Sequence, residues 1–215
     1  MMMEEKRQTG VRGRKAPDGT RERVIALTRD LMAADGLSSV KARPIAASAG
    51  VSVGTLYNMF GHLDDLVRLA NGQTYDDLFA HQQGALDRAR KAMQTPRRQL
   101  YTLAHAYLEW VGDHHTLWSA TLAFNQDRMD SAPSWYRQKE RALLAIIEQA
   151  LEDFPIRFDG DRRLHTARAL WASIHGIVSM AMGTRTLLLP VEDIEVQIEI
   201  VVDAVARTLK SQPSA

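Results

Sequence analysis

Apolar residues recur at helical spacing along almost the whole chain. Val24, Leu27, Leu31 and Ala34 step by three and four, the period of a helix with one buried face. Thr20 stands ahead of them as a candidate cap, and Gly36 ends the segment. A short helix is expected from about Ala42 to Ala49, where Pro44 is tolerable because it falls in the first turn. Gly50 breaks it, and Ser52 offers a side-chain oxygen to cap a third helix over Val53–Phe60. Residues 63 to about 93 form one long helix, with Asp64 and Asp65 in its positive first turn. Pro96 starts the next, which carries Leu100, Leu103, Ala104, Tyr107, Leu108 and Val111 on one face. "HTLWSATLAFNQ" is a short helix, and residues 134 to about 153 are another, opened by Ser131, Pro133 and Ser134. After the loop "FPIRFDGD", residues 161 to about 183 form a helix of mostly apolar or small residues, and Pro190 separates it from a last one over 191 to about 210. There Val196, Ile198, Ile200 and Val202 also alternate as a strand would, but Ile194, Ile198, Val201, Val205 and Leu209 keep helical spacing for longer. The chain reads as all-α.

Two short helices joined by a tight turn are the helix-turn-helix arrangement, whose second helix enters a DNA major groove. Ala46 is small enough for the two helices to approach closely, and Gly50 can take a positive φ at the turn without steric cost. Val51, Leu56 and Phe60 would anchor the assembly, leaving Ser52, Val53, Thr55, Tyr57 and Asn58 to face outward. A hydroxyl can donate to a phosphate oxygen, and a helix N-terminus attracts anions. Tyr57 offers a long arm ending in a donor, and Asn58 could pair two-fold with an adenine edge. Arg43 could meet the DNA backbone. The same pattern also fits a three-helix core with nothing more than a polar surface.

Charge changes that balance. The net charge of the 215 residues is +1, yet residues 6 to 62 hold ten Lys or Arg against four Asp or Glu. Residues 71 to 215 hold sixteen against eighteen. Half of the N-terminal cations, Lys6, Arg7, Arg12, Arg14 and Lys15, stand in an irregular stretch with Gly10, Gly13, Pro17 and Gly19. Residues 1–19 are therefore expected to be a flexible basic arm. Such asymmetry favours a polyanion-binding module joined to something else. At 45% hydrophobic residues there is ample material for a core. With no cysteine there are no disulfides or thiolate metal sites. No run approaches the roughly 18 to 20 apolar residues of a membrane span, and "MMMEEKRQTG" lacks the apolar centre of a secretion signal. A cytoplasmic protein with no membrane partner is expected.

The segments "AADGLSS", "IAASAGVSVGTLYNMF" and "LDDL" resemble the N-terminal DNA-binding domain of the TetR/AcrR transcriptional regulators. The resemblance covers residues 20 to 66 and keeps the family spacing from Gly36 to Ile45. It implies a homodimer on a short palindromic operator and a C-terminal helical domain with a small-molecule pocket. Thr55 and Tyr57 match the family's phosphate contacts. Four positions depart from the pattern: Lys41 where Thr is usual, Pro44 at a commonly polar position, Met59 where His is frequent, and Leu63 where many members have a phosphate-contacting Lys. His62 or its backbone amide is the expected substitute. Further on, "LWASIHGIVSMA" resembles one subgroup's C-terminal domain, with a Trp followed by His-Gly in the penultimate long helix.

Aromatic residues concentrate in the middle helices. A pocket is usually apolar with a few polar anchors, and Trp110, Trp118, Trp171 and Met180 could line one, with His105 and His175 as anchors. Taken singly, each aromatic reads first as an ordinary core residue and each histidine as a satisfied core or surface one. Glu109, Asp113, His114 and His115 match no recognised metal spacing, so no metal and no cofactor is expected. Around Leu170 to Met182 the helix is apolar over more than one face. The last helix has Ile194, Ile198, Val201 and Val205 along one face and Val196, Ile200 and Val202 elsewhere. Two such helices from each of two chains could make a four-helix dimer interface.

The expected architecture is an N-terminal three-helix helix-turn-helix domain over residues 20–65, followed by a helical ligand-binding and dimerisation domain over 66–215. The expected function is a ligand-responsive repressor, not an enzyme, that binds double-stranded DNA and is released by an apolar or aromatic effector. The rival readings are a helical protein-interaction module that has lost DNA binding and, with no nucleophile–base spacing to support it, an all-helical enzyme.

Overall fold

The computed structural model describes residues 18–156, 158, 161–183 and 191–210. Of the expected basic arm, only Asp18 and Gly19 fall among them. The described elements are α1 (Thr20–Asp35), α2 (Ala42–Ala49), α3 (Val53–Phe60), α4 (Leu63–Lys91), α5 (Pro96–Asp113), α6 (His115–Asn125), α7 (Ser134–Glu152), α8 (Arg162–Gly183) and α9 (Ile194–Lys210), with short 3-10 turns at Leu37–Ser39 and Val191–Asp193. No strand occurs among the described residues, and the alternation at 196–202 is resolved as helix.

Local chemistry explains most boundaries. Gly50 takes φ 69° in the left-handed region, which closes α2 and turns the chain into α3. Ser52 caps α3 as expected, its Oγ accepting from the Thr55 N–H at 3.0 Å. Thr95 does the same for α5, and Pro96 occupies the first helical position, where no N–H is needed. Asp64 and Asp65 start α4 and Arg88, Arg90 and Lys91 end it, each sign matched to the helix dipole. One expectation fails. Thr20 does not cap α1; Gly19 takes that place and Thr20 is the first helical residue, buried at 1% exposure with its hydroxyl unpartnered. The side chain turns into the core instead of back to the helix end.

The interior forms two apolar clusters. One joins Val24, Met32, Ile45, Leu56 and Phe60 to the start of α4 through Leu66, Val67 and Ala70. It is closed by Leu117, Ala120 and Phe124 of α6. The larger cluster is built from α4, α5 and α7–α9, and Trp118 of α6 belongs to it. Thus α6 lies between the two cores, giving one face to the N-terminal head and the other to the body. In α9 the inward face is Ile194, Ile198, Val202, Ala206 and Leu209. Val202 is therefore an inner residue, while Val201 and Val205, expected there, are half-buried at the edge. Among the described residues no helix is long and apolar enough to cross a membrane.

Candidate nucleic-acid interface and ligand cavity

The head presents its polar residues where a groove-binding helix would need them. Tyr57 is 42% exposed, and Ser52, Asn58, Arg43 and His62 are also exposed or half-exposed. Thr55 is half-buried, and its Oγ1 lies 2.8 Å from Ser52 Oγ, so each hydroxyl orients the other at the start of α3. Val53 is half-buried and packs on the edge of the N-terminal core. His62 occupies the capping position of α4 but makes no side-chain cap, which leaves its imidazole uncommitted. Leu63 packs against the N-terminal core.

The cations of the head divide into two groups. Arg23 donates to the Ala49 carbonyl at 3.2 Å, Arg21 lies 5.1 Å over the Phe60 ring, and Arg29 pairs with Asp77 of α4. The first two hold the head together, and the third ties it to the body. Lys41 and Arg43, at the start of α2, are exposed and make no such contact. Arg43 is legible in the sequence as a backbone contact. Lys41 stands out there only as a departure from the family pattern, although its exposure beside a free arginine is the better signal. Residues 18–62 carry five Lys or Arg against four Asp or Glu, so most of the N-terminal excess belongs to residues 6–15.

In the body, the structure gathers some of the expected pocket residues and separates others. Trp118 is buried and donates its indole N–H to the Tyr107 hydroxyl at 2.9 Å. That hydroxyl also lies 2.6 Å from His175 Nδ1, and which of the two donates is set by the imidazole tautomer. Burial holds the His175 imidazole below its ordinary value and pushes the Tyr107 phenol up. Trp171 stacks on His175 with ring centroids 4.8 Å apart and planes 5° apart. Trp110 packs edge-on against Trp118 at 5.8 Å and stacks on His114 at 4.5 Å, which makes it core. His105 is on the surface, 3.2 Å from Glu195 of α9. Met180 is 48% exposed. Neither therefore joins the Trp118–His175 group: His105 is two positions from Tyr107 and Met180 five from His175, steps that bring a side chain to another face of α5 or α8.

A second polar group was not expected. Asn71 Nδ2 donates to the Tyr136 hydroxyl at 3.2 Å, which donates to Asn125 Oδ1 at 2.8 Å. Asn125 Nδ2 donates to the Tyr75 hydroxyl at 2.6 Å. The Thr121 hydroxyl lies 3.1 Å from Asn71 Oδ1 and 3.0 Å from the Leu117 carbonyl, sharing its one proton. Asn71, Thr121 and Asn125 are all buried, and they tie α4, α6 and α7 together. At the same seam Asp64 pairs with Arg128 at 3.0 Å. The signal in the sequence is faint: amides and hydroxyls interrupt apolar stripes. Among the described residues no group of three or more carboxylate or imidazole side chains is placed to hold a metal.

A helix-turn-helix head on a larger helical body is the build of a DNA-binding transcriptional regulator. Residues 24–70 match the sequence model of the bacterial regulatory proteins of the tetR family. Residues 100–205 match that of the tetracyclin repressor-like C-terminal domain. Together the two matches span more than two thirds of the chain, and the chain belongs to the TetR family. Solved structures share its fold. A protein with unknown function from Rhodococcus sp. RHA1 gives a TM-score of 0.69 at 19% identity, with 92% of this chain and 98% of that one covered. A TetR transcriptional regulator from Rhodococcus sp. RHA1 gives 0.63 at 20% identity, with 86% and 95% covered. The multidrug binding protein EbrR, complexed with imidazole, gives 0.63 at 22% identity, with 93% and 99% covered. No curated protein matches the chain. The family points to a regulator rather than an enzyme.

Proposed function

We propose that this DNA-binding transcriptional regulator is a cytoplasmic, ligand-responsive repressor that binds a palindromic operator as a homodimer and needs no cofactor. In this reading residues 20–65 are the reading head, residues 66–215 hold the effector and the dimer contact, and the basic arm tracks phosphates. The observation that carries it is the surface of α3, where Tyr57 and Asn58 stand exposed beside the Ser52–Thr55 pair. Thr55, Tyr57, Arg43 and His62 take phosphates, and Asn58 takes a base edge. Exposed apolar side chains on two packed helices support the dimer: Met180 on α8, and Val196 and Ile200, 57% and 60% exposed, on α9. The dimer would set two copies of α3 about 34–36 Å apart, one helical turn of DNA. An effector among α4–α8 would shift α4 and with it the separation of the heads. It can do so only by binding the released state more tightly than the DNA-bound one.

Selection of bound sequences from a random duplex pool tests this reading. A palindrome with half-sites one turn apart is expected, with affinity falling steeply as salt rises. Tyr57→Ala should weaken binding to every sequence, whereas Asn58→Ala should chiefly relax base preference. No enrichment at low salt, from a protein that remains monomeric, would instead support a head that has kept the turn as scaffold, the reading that Leu63 in place of a lysine makes worth testing.

A further inference from the structure

A cleft of about 380 Å³ opens among α4, α6, α7 and α8, a volume within the usual range for small-molecule sites. Its apolar walls are Tyr75, Trp118, Leu122, Leu143, Leu144 and Trp171. Four charged side chains also line it: Arg137, Glu140, Arg141 and Arg168. With the body read as the effector-binding part, a reading on which the inference rests, these four groups select the kind of effector.

Their partners decide it. Arg141 is paired with Glu148 at 2.6 Å. Arg137 donates to the Ala132 carbonyl, which leaves its positive charge uncompensated. Arg168, on the turn before Trp171, makes no hydrogen bond or ion pair among the described residues. Glu140 has no cationic partner either; exposed on α7, it is the one carboxylate among the described residues lining the cleft and the group that opposes an incoming anion. A cation would enter against two uncompensated guanidiniums. A neutral ligand would leave both exposed guanidiniums to water and gain nothing from their charge. An anion with a planar body satisfies Arg168 through a charge-assisted, two-pronged contact and covers the aromatic walls. We propose that this cleft takes an aromatic organic anion: a fused apolar ring system against Trp171, Trp118 and Tyr75, with one carboxylate on Arg168 and Arg137 beside it.

Calorimetric titration of the full chain without DNA tests this with three probes that share one ring system. These are 2-naphthaleneacetate, its primary amide, and 2-naphthylmethylammonium. The acid should bind about tenfold tighter than the amide, the gain of one charged contact, and the ammonium least well. Arg168→Gln should bring the acid down to the affinity of the amide. Glu140→Gln should tighten the acid several-fold, in the opposite direction, and a merely misfolded variant cannot do that. Neither change should move the amide. Equal affinities, a preference for the ammonium, no heat from the acid at millimolar concentration, or an acid affinity indifferent to Arg168→Gln would each overturn the proposal. Because no duplex is present, the result is independent of operator binding. Acid bound by a protein that selects no DNA would sink the repressor reading alone; a selected operator with the acid ignored would sink this one alone.

Discussion

Around α3 the interior is apolar: Ile45, Ala46, Leu56 and Phe60 fill it, and the polar side chains of the turn stay at the surface. Around α6 the reverse holds, with Asn71, Thr121 and Asn125 inside, bonded to two tyrosine hydroxyls. Burying an amide costs free energy unless its hydrogen bonds are remade, and a bonded network tolerates few alternative arrangements. The head therefore keeps its hydrogen-bonding capacity for something outside the fold. The body uses the same capacity to fix how α4, α6 and α7 meet, the junction through which a bound compound could act on the head. The two regions should accordingly respond differently to similar substitutions.

The largest effect is expected where the regions join. Phe124 is 2% exposed, closes the N-terminal core, and lies under Arg128 at 4.9 Å. Phe124→Ala should cost about 3–5 kcal/mol, read from the midpoint of urea unfolding. A loss below about 1 kcal/mol, against the usual cost of an emptied aromatic site, would mean that α6 rests against the head without holding it.

One substitution made in both regions sharpens the contrast. Tyr136→Phe leaves Asn71 without its acceptor and Asn125 without its donor inside the body, and should cost about 1–3 kcal/mol. Tyr57→Phe removes a hydroxyl already in water and should stay within about 0.5 kcal/mol, while weakening duplex binding. Equal stability costs for the two would erase the distinction drawn between the regions. At the head's own helix start, Ser52→Ala deletes the acceptor of the Thr55 N–H and should cost about 1 kcal/mol. Ser52→Asn, which can still cap, should restore most of it in the same unfolding assay.

These differences track what is legible in the sequence. The helices, the turn at Gly50 and the cap at Ser52 can be read because each depends on neighbours within a few residues. The exposure of Tyr57 and Asn58 follows from the same local period. Trp118 and His175 are recognisable as partners in chemistry but not in space, since the Tyr107 hydroxyl that joins them lies on a third helix. His105 and Met180 stand apart from the Trp118–His175 group, because periodicity does not specify how a helix is rotated against its neighbours. The Asn71–Tyr136–Asn125 network is invisible, because Asn71 lies 65 positions from Tyr136 and 50 from Thr121, and nothing local marks an amide as buried. Thr20 shows the converse error: a residue type suited to capping, with its hydroxyl turned inward.

The smallest effect concerns protons, and it lies in the body. His175 is hydrogen-bonded to the Tyr107 hydroxyl, is stacked on Trp171 and lies beside the Ser179 hydroxyl, and burial keeps its pKa below the ordinary 6.5. Below pH 6.5 the unfolded chain takes up a proton that the folded chain refuses, so unfolding gains protons and stability falls with pH. The loss begins as pH drops through 6.5 and levels off once the folded histidine is itself protonated; above 6.5 the group contributes no further pH dependence. His175→Gln removes the titration but keeps a side chain that can donate to or accept from the Tyr107 hydroxyl. The stability difference between the natural chain and this variant should therefore be greatest near about pH 8 and shrink toward about pH 5. Urea midpoints of both proteins across that range measure it, and because the two chains differ at this position alone, the difference isolates His175. A gap that stays constant, or widens toward acid, would show that the imidazole is not held neutral by the body, and the contrast between a dry head and a hydrogen-bonded interior would lose one of its two polar clusters.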